Sequence, residues 1–530
     1  MVCLSLVQSS ISPTVSFVLW SLRATHFAPL EPSSLMEPFV SCSIQSSKTM
    51  SLIATIVNVA GAEAMNAGGG VAAENGAAVQ EGFDKTRTYA PGPCNGNCAQ
   101  DWVGGTHMLQ HTRWYPTAQT MVDGSVLIVG GADAGGLVLN EASINVPTYE
   151  IIHHHGAAAP KPVILPILEF SAAQNLQPGF SYNLYPILEL MPNTANANQF
   201  LTIAGNRAVI WDYTKNVLIK TLPNTPVGPR TFPSSATAVM LPLVAPNFTP
   251  TLLLCGGSSG DMPNPKALND CYTIKPLDNN PVWTRTDSMP GGARTMSDGI
   301  LLPDGTVLIV NGARIGSGGG FMAEGPAFAP IIYDPSKPAG RKFTTMPSTN
   351  IPRLYHSVAT LIPSGEVLIA GSNPAVGYTQ IGKVSLRWPI FKNHGHVCAL
   401  KQQQYQTSAY PTEYRVQKFS PDYMTAAARP IITRAPKAIR YGATFHISAG
   451  INGKHLRGTV KVMLGGLGFH THAVGMNQRM LQLAIKPVPN SNLFTVTAPP
   501  GASVLAPGVY LIYAVRNGVP SKGVWVKLRG

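Results

Sequence analysis

The chain has 530 residues, 45% of them hydrophobic, which is enough to bury several domain-sized cores or one long repetitive core with an appendage. Its 51 glycines and 46 prolines favour short strands and turns, and no apolar stripe persists at helical spacing, so a mainly helical fold is excluded. The formal charge of +13 is spread over a chain only 12% charged, without a dense Lys/Arg block, and is read as a basic surface with no nucleic-acid role.

Residues 1–22 carry no charged side chain, and Val15–Leu22 is a short apolar segment that resembles the core of a secretory leader without its basic start. That segment is too short to span a bilayer, and no membrane span is expected. Residues 1–54 are set apart as an atypical N-terminal segment. Cysteines stand at 3, 42, 94, 98, 255, 271 and 398. Cys94 and Cys98, and likewise Cys255 and Cys271, are close enough in sequence to close a small loop, which suits an oxidising compartment. The sequon Asn247-Phe248-Thr249 agrees, although Pro250 follows it, and a secreted protein is the expectation.

Glycine-ended apolar runs then recur: TIVNVAG (55–61), VLIVGG (126–131), FLTIAGN (200–206), LLLCGG (252–257), VLIVNG (307–312) and VLIAGS (367–372). Their irregular spacing, roughly 50–75 residues, fits the blade period of a kelch-type β-propeller with loop insertions. Upstream of four runs stand Arg113-Trp114-Tyr115, Arg230-Thr231-Phe232, Arg294-Thr295-Met296 and Arg353-Leu354-Tyr355. The arginines are expected to satisfy carbonyls between blades. The slot two residues after each arginine holds Tyr, Phe, Met and Tyr, and in a propeller such slots converge on the axis. Two phenols, Tyr115 and Tyr355, would then face one another while Phe232 and Met296 pack.

His356 follows Tyr355 directly, and neighbours in a regular strand point to opposite faces, so the pair can share a partner only if the backbone there is a loop or strand end. The repeat stops near Arg429, giving a propeller over 55–429. From 430 to 530 short alternating strands with Gly/Pro turns read as a β-sandwich of about 100 residues. Within it His470 and His472 lie two apart, on one face if the segment is a strand.

Taken together, RWYPTAQTMVDGSVLIVGG (113–131), NVPTYE (145–150), IPRLYHSVATLIPSGEVLIAGSNP (351–374), YPTEYRVQKFSPDYM (410–424) and FHTHAVGMNQR (469–479) resemble the fungal glyoxal oxidases, copper radical oxidases related to galactose oxidase. The resemblance implies an all-β fold, a seven-bladed kelch-like β-propeller followed by a C-terminal immunoglobulin-like β-sandwich. It implies an extracellular enzyme that oxidises small aldehydes of the glyoxal or methylglyoxal type to carboxylic acids, or primary alcohols to aldehydes, while O2 is reduced to H2O2. Tyr115 is similar to the tyrosine that becomes thioether-linked to a cysteine and holds a radical, Tyr355 to the axial tyrosine that removes the substrate proton, and His356 to the adjacent imidazole ligand. The Thr-His motif followed by Gln-Arg selects His472 over His470 as the second imidazole, His470 being a second-layer or substrate-side group.

One copper ion and a Tyr–Cys thioether are the implied cofactors, a small aldehyde or alcohol and O2 the partners, and a monomer the expected state. The chemistry agrees: two imidazoles, a phenolate and a water or substrate oxygen form the tetragonal N,O shell that Cu(II) prefers. A neighbouring cation lowers a tyrosine pKa from its usual ~10.

The family's cysteine stands just upstream of a strand like TIVNVAG, in a Phe-Cys-x-Gly-Gly type sequence. Here that place reads FVSCSIQSSKTMSLIATIVNVAG, with Cys42 at a longer spacing and no following glycines. Either Cys42 serves through a divergent loop or the crosslink does not form, which would leave a catalytically silent kelch-like binding protein. Residues 375–407, containing KNHGHVCAL, read as an insertion, and His153-His154-His155 and His394-Gly395-His396-Val397-Cys398 as loop tracts rather than metal sites.

Overall fold

A computed structural model describes residues 40–43, 55–59, 73–74, 77–78, 84–89, 103–133, 144–153, 161–173, 183–192, 195–259, 265–319, 322–374 and 410–530. Within them the regular secondary structure is nearly all strand, the exceptions being the helix Pro166–Ala173 and the 3-10 turn Asp422–Thr425. No helix among the described residues is long and apolar enough to cross a membrane.

The six glycine-ended runs fold as the strands Thr55–Val59, Val126–Val129, Gln199–Ala204, Leu252–Cys255, Val307–Val310 and Val367–Ala370. Each is the second strand of an antiparallel sheet and pairs with the strand before it, respectively Val40–Ser43, Thr117–Thr120, Ile187–Leu190, Thr237–Met240, Asp298–Leu301 and Val358–Leu361. These first strands are innermost, lying beside one another about a common axis. The second strands of the second, fourth and fifth blades are apolar and buried throughout because the sheets stack face to face and bury both sides. Leu252, Leu253 and Leu254 are all 0% exposed, as are Val307, Leu308 and Ile309. Each such side chain contributes roughly 1.5–3 kcal/mol by its removal from water.

Numbered along the chain, the first five sheets have four strands and the sixth has three. Six blades thus stand among the described residues, against the seven that the resemblance implies. Cys255 and Cys271 face each other across the second and third strands of the fourth blade and form the expected disulfide. Cys94 and Cys98, the segment 375–407, His154, His155, His394, His396 and Cys398 lie outside the described residues.

The glycine that ends each run is explained by the next blade. Gly131 N–H donates to Asn183 O at 2.8 Å, Gly257 N–H to Arg294 O at 2.9 Å and Gly312 N–H to Arg353 O at 2.9 Å. At Gly130 (φ +74°) and Gly256 (φ +62°) an added Cβ would sit on the same carbonyl oxygens, of Asn183 and Arg294, so the left-handed backbone and the close approach both demand glycine.

The arginine side chains behave differently from expectation, because they satisfy their own blade. Arg113 donates to Gly130 O at 2.7 Å, Thr148 O at 3.0 Å and Glu150 Oε1 at 2.9 Å. Arg230 bonds Gly256 O and both oxygens of Asp270. The link between blades is the main chain at the arginine position, while the guanidinium reaches across the second strand of its own sheet to the third.

From Ile431 onward two sheets pack face to face. One holds Ile431–Arg434, Thr444–Ile451, Lys454–His455, Ile485–Pro487 and Leu493–Thr497. The other holds Ala438–Arg440, Val460–Gly466, Arg479–Leu483, Gly508–Arg516, Val519–Pro520 and Val524–Arg529, and the propeller strand Leu243–Val244 joins it in parallel beside Arg479–Leu483. Val462, Leu464 and Ile512 fill the space between the sheets, while Met463, Leu511 and Tyr513 on the opposite face join a core with Val307 and Leu361 of the propeller.

A hairpin of Phe469–Thr471 and Val474–Met476 leaves this domain and runs along the propeller axis, touching the innermost strands of five blades. Its root is fastened where those strands end. Asn477 Oδ1 accepts from Thr120 N–H at 2.6 Å, Gln478 Oε1 accepts from Leu301 N–H at 2.9 Å, and Arg479 donates to Leu190 O. Its tip therefore emerges where the innermost strands begin.

Candidate active site

The segments leading into the innermost strands converge at that end. Tyr115, Tyr185, Phe232, Met296 and Tyr355 belong to one buried cluster. Tyr115 and Met296, both two residues after an arginine, have φ of +62° and +57°. Left-handed backbone is uncommon for such side chains; it recurs at Tyr185, at φ +46°, but not at Phe232 or Tyr355, so it marks particular blades rather than every slot.

In the sixth blade the left-handed residue is instead His356, at φ +65°, one position later. Arg353–Ser357 lies outside any strand, tied by Ser357 Oγ donating to Leu354 O at 2.8 Å and Ser372 Oγ donating to Tyr355 O at 2.9 Å. That irregular turn brings the neighbours Tyr355 and His356 ring to ring, centroids 3.7 Å apart, which a strand would forbid.

His472 arrives from the hairpin. Thr471 and Val474 are cross-strand partners, so His472 and Ala473, at φ +51° and +70°, are the two central residues of a turn with both in the left-handed region. Turns of this kind favour Asn-Gly, and a His-Ala pair there accepts backbone strain in order to present an imidazole. Thr471 Oγ1 lies 2.7 Å from His472 Nδ1, which assigns Nε2 as the nitrogen that would face a metal.

The structure thus brings together Tyr115, Tyr355, His356 and His472. The two phenol oxygens are 2.7 Å apart. The His472 ring centroid lies 4.6 Å from Tyr115, 4.9 Å from Tyr355 and 5.0 Å from His356. Tyr115, Tyr355 and His472 are at most 4% exposed, while His356 is half-buried with its Nε2 fully buried. No group of three or more His, Cys, Asp or Glu side chains suited to a metal occurs among the described residues. The donor set here is two imidazoles and two phenols, a mixed N,O set that suits Cu(II).

Two further aromatic rings close around Tyr115. Trp114 stacks on it at 3.6 Å and 14°, and because that face is then filled, Tyr185, stacked at 4.6 Å and 25°, takes the other. Tyr185 also stacks on His472 at 4.7 Å and is 0% exposed. Sequence reasoning missed Tyr185 because Asn183 replaces the arginine of its blade. The signal was the dipeptide Tyr185-Pro186, which repeats Tyr115-Pro116.

His470 is held away from the group, its Nε2 3.2 Å from Gly299 O on the fifth blade. Burial pushes its imidazole down to about 4, so it is neutral at ordinary pH. Burial also lowers the guanidinium of Arg353, to about 10, without discharging it. Cys42 lies on the innermost strand Val40–Ser43, opposite Ile56 and beside Thr117–Thr120, the strand that follows Tyr115.

A sequence profile described as the glyoxal oxidase N-terminus matches residues 40–389, and one described as a galactose oxidase-like early set domain matches residues 429–528. An aldehyde oxidase of Vitis pseudoreticulata is 34% identical over 464 residues, covering 84% of this chain and 78% of its own length. Aldehyde oxidase GLOX1 of Arabidopsis thaliana is 34% identical over 455 residues, covering 82% of this chain and 66% of its own length. A fungal alcohol oxidase solved in complex with copper superposes with a TM-score of 0.65 at 17% identity, covering 93% of this chain and 85% of that one, a likeness of fold. With the propeller profile matched over most of the chain and a relative above 30% identity matched over most of its length, the chain belongs to the glyoxal oxidase family of copper radical oxidases.

Proposed function

We propose that this protein is a secreted, copper-dependent oxidase that converts small aldehydes of the glyoxal or methylglyoxal type, as their hydrates, to carboxylic acids. The observation that carries the reading is the convergence of Tyr115, Tyr355, His356 and His472 from three distant segments, with the phenol oxygens 2.7 Å apart. Overall, aldehyde, water and O2 give acid and H2O2, so two electrons and two protons leave the hydrate and reach O2. His356, His472 and the two phenol oxygens would hold the copper, which when bound supplies one of the two oxidising equivalents.

The protein's own groups supply the rest. Tyr355 is placed to take the hydroxyl proton on its phenol oxygen, with the half-buried His356 ring directly beside it. Tyr115, closed in by Trp114 and Tyr185, is the ring that would accept the hydrogen from carbon and so carry the second equivalent. We assign Cys42 as its thioether partner, supported by the place of its strand beside Thr117–Thr120.

The test is peroxide release from copper-loaded protein given glyoxal under air, with peptide mass mapping of the same sample. Peroxide, together with a loss of two hydrogens shared by the Cys42 and Tyr115 peptides, is expected. No peroxide at full copper occupancy overturns the reading, and faster oxidation of galactose than of glyoxal would move it to primary alcohols.

A further inference from the structure

All 25 acidic residues of the chain lie before residue 430, whereas twelve of the 38 Lys and Arg lie after it. The sandwich therefore carries nearly all of the +13 without one carboxylate side chain of its own. Arg479, its buried cation, pairs with Glu189 of the propeller, and no other cation of the domain forms an ion pair among the described residues. A surface serving only solubility intersperses both signs.

The charge gathers beside an aromatic ring at one sheet edge. Alternation along Val524–Arg529 places Trp525, Lys527 and Arg529 on the same face, successive members about 6.6 Å apart. The adjacent edge strand Ala438–Arg440 sets Ala438 opposite Lys527 and Arg440 directly opposite Arg529. Trp525 is 39% exposed, and Arg440 and Arg529 are exposed too. Two like charges directly across a strand pair destabilise a sheet, and an anionic partner removes that cost.

We propose that Trp525, Lys527, Arg529 and Arg440 form a docking strip for a carboxylated polysaccharide, a polyuronate, with a sugar ring on the indole and its carboxylates on the row of cations. The indole offers an apolar platform to the C–H face of a sugar, and the cations match a chain with one carboxylate per ring. The Cys255–Cys271 disulfide belongs to an oxidising compartment, where polymeric anions are chiefly polysaccharides. The strip lies on the domain that roots at the far ends of the innermost strands, so a docked polymer leaves the Tyr115–His472 end uncovered.

Full-length protein would be titrated with polygalacturonate, its fully methyl-esterified form, duplex DNA and phosphatidylserine vesicles. Polygalacturonate is expected to bind most tightly, with affinity falling steeply as salt is raised through about 0.15 M, and the neutral ester not at all. Changing Arg440, Lys527 and Arg529 together to Gln should weaken binding at least about ten-fold, and Trp525→Ala about five-fold. Removing equal charge from the other sheet, with Arg434, Lys454 and Lys486 changed to Gln, should alter it less than about two-fold. Undiminished binding by the strip variants, an equal loss from the other sheet, or tighter binding of DNA or vesicles overturns the proposal. Trp525→Ala removes no charge, so it decides the matter even if the triple variant folds poorly.

Discussion

Met296 and Tyr115 stand in the same position of the fifth and second blades, two residues after a buried arginine, both left-handed and both at most 4% exposed. One packs against the cluster and the other meets a second phenol at 2.7 Å. Phe232 in the fourth blade is again apolar. The slot thus takes whatever side chain its blade supplies, and of the four blades with the arginine only the second and sixth place a phenol there. The second and fifth blades differ beneath the slot. Arg113 meets the carboxylate of Glu150, both side chains 0% exposed, whereas Arg294 meets only the carbonyls of Ile309, Asn311 and Ala329. Burial, with Arg314 nearby, lowers Arg294 to about 9 with no acid opposing it, while burial still lowers Arg113 although Glu150 pulls it back up.

The largest effect should come from making the second blade's slot like the fourth's. Tyr115→Phe is expected to lower peroxide production at least about a thousandfold while thermal melting stays near wild type, because Phe232 shows that the position needs no hydroxyl to pack. Next come the arginines. Arg113→Met leaves Glu150 buried and unpaired and should cost about 3–5 kcal/mol in denaturant unfolding, whereas Arg294→Met strands only carbonyls and should cost about 1–3 kcal/mol. Equal losses would mean that the carboxylate adds nothing.

His472→Ala should weaken copper binding by at least about a hundredfold in a competitive titration, and His470→Ala should leave it nearly unchanged. Tyr185→Leu removes a ring stacked on Tyr115 and is expected to reduce turnover about ten-fold, with Tyr185→Phe close to wild type.

The smallest effect concerns Asp298, on the innermost strand of the fifth blade. Burial raises its carboxyl to about 8, against which Asn311 donates one hydrogen bond at 2.8 Å. A folded-state value above the unfolded one means that the native state holds the extra proton, so its contribution is full below about 4 and is lost as pH rises toward and past 8. Melting temperature should therefore decline between pH 5 and pH 9, and Asp298→Asn should flatten that decline.

The second strands were legible because they are largely apolar runs ended by glycine, those of the second, fourth and fifth blades buried on both faces, and the arginine two residues before each slot was legible because a buried guanidinium recurs wherever the same carbonyls need a donor. Tyr185 escaped because Asn183 makes the link between blades with its main chain and dispenses with the guanidinium. The hairpin turn at His472 escaped because neither of its central residues is Asn or Gly, and strain accepted for placing a ligand has no sequence signature of its own. The sandwich's docking on the propeller depends on Leu243–Val244 pairing with Arg479–Leu483 more than two hundred residues away, which no local pattern announces.

The threaded hairpin also sets an order of assembly. His472 lies downstream of all the described blades, and it reaches the phenols only after the domain that carries it has seated against the blade ends. Until then the nascent toroid holds two tyrosines and one imidazole, an incomplete form of the four-residue group. On the proposed function, oxidative chemistry would thus be withheld from a half-made protein, and a product truncated before the hairpin would be inert rather than a stray source of peroxide.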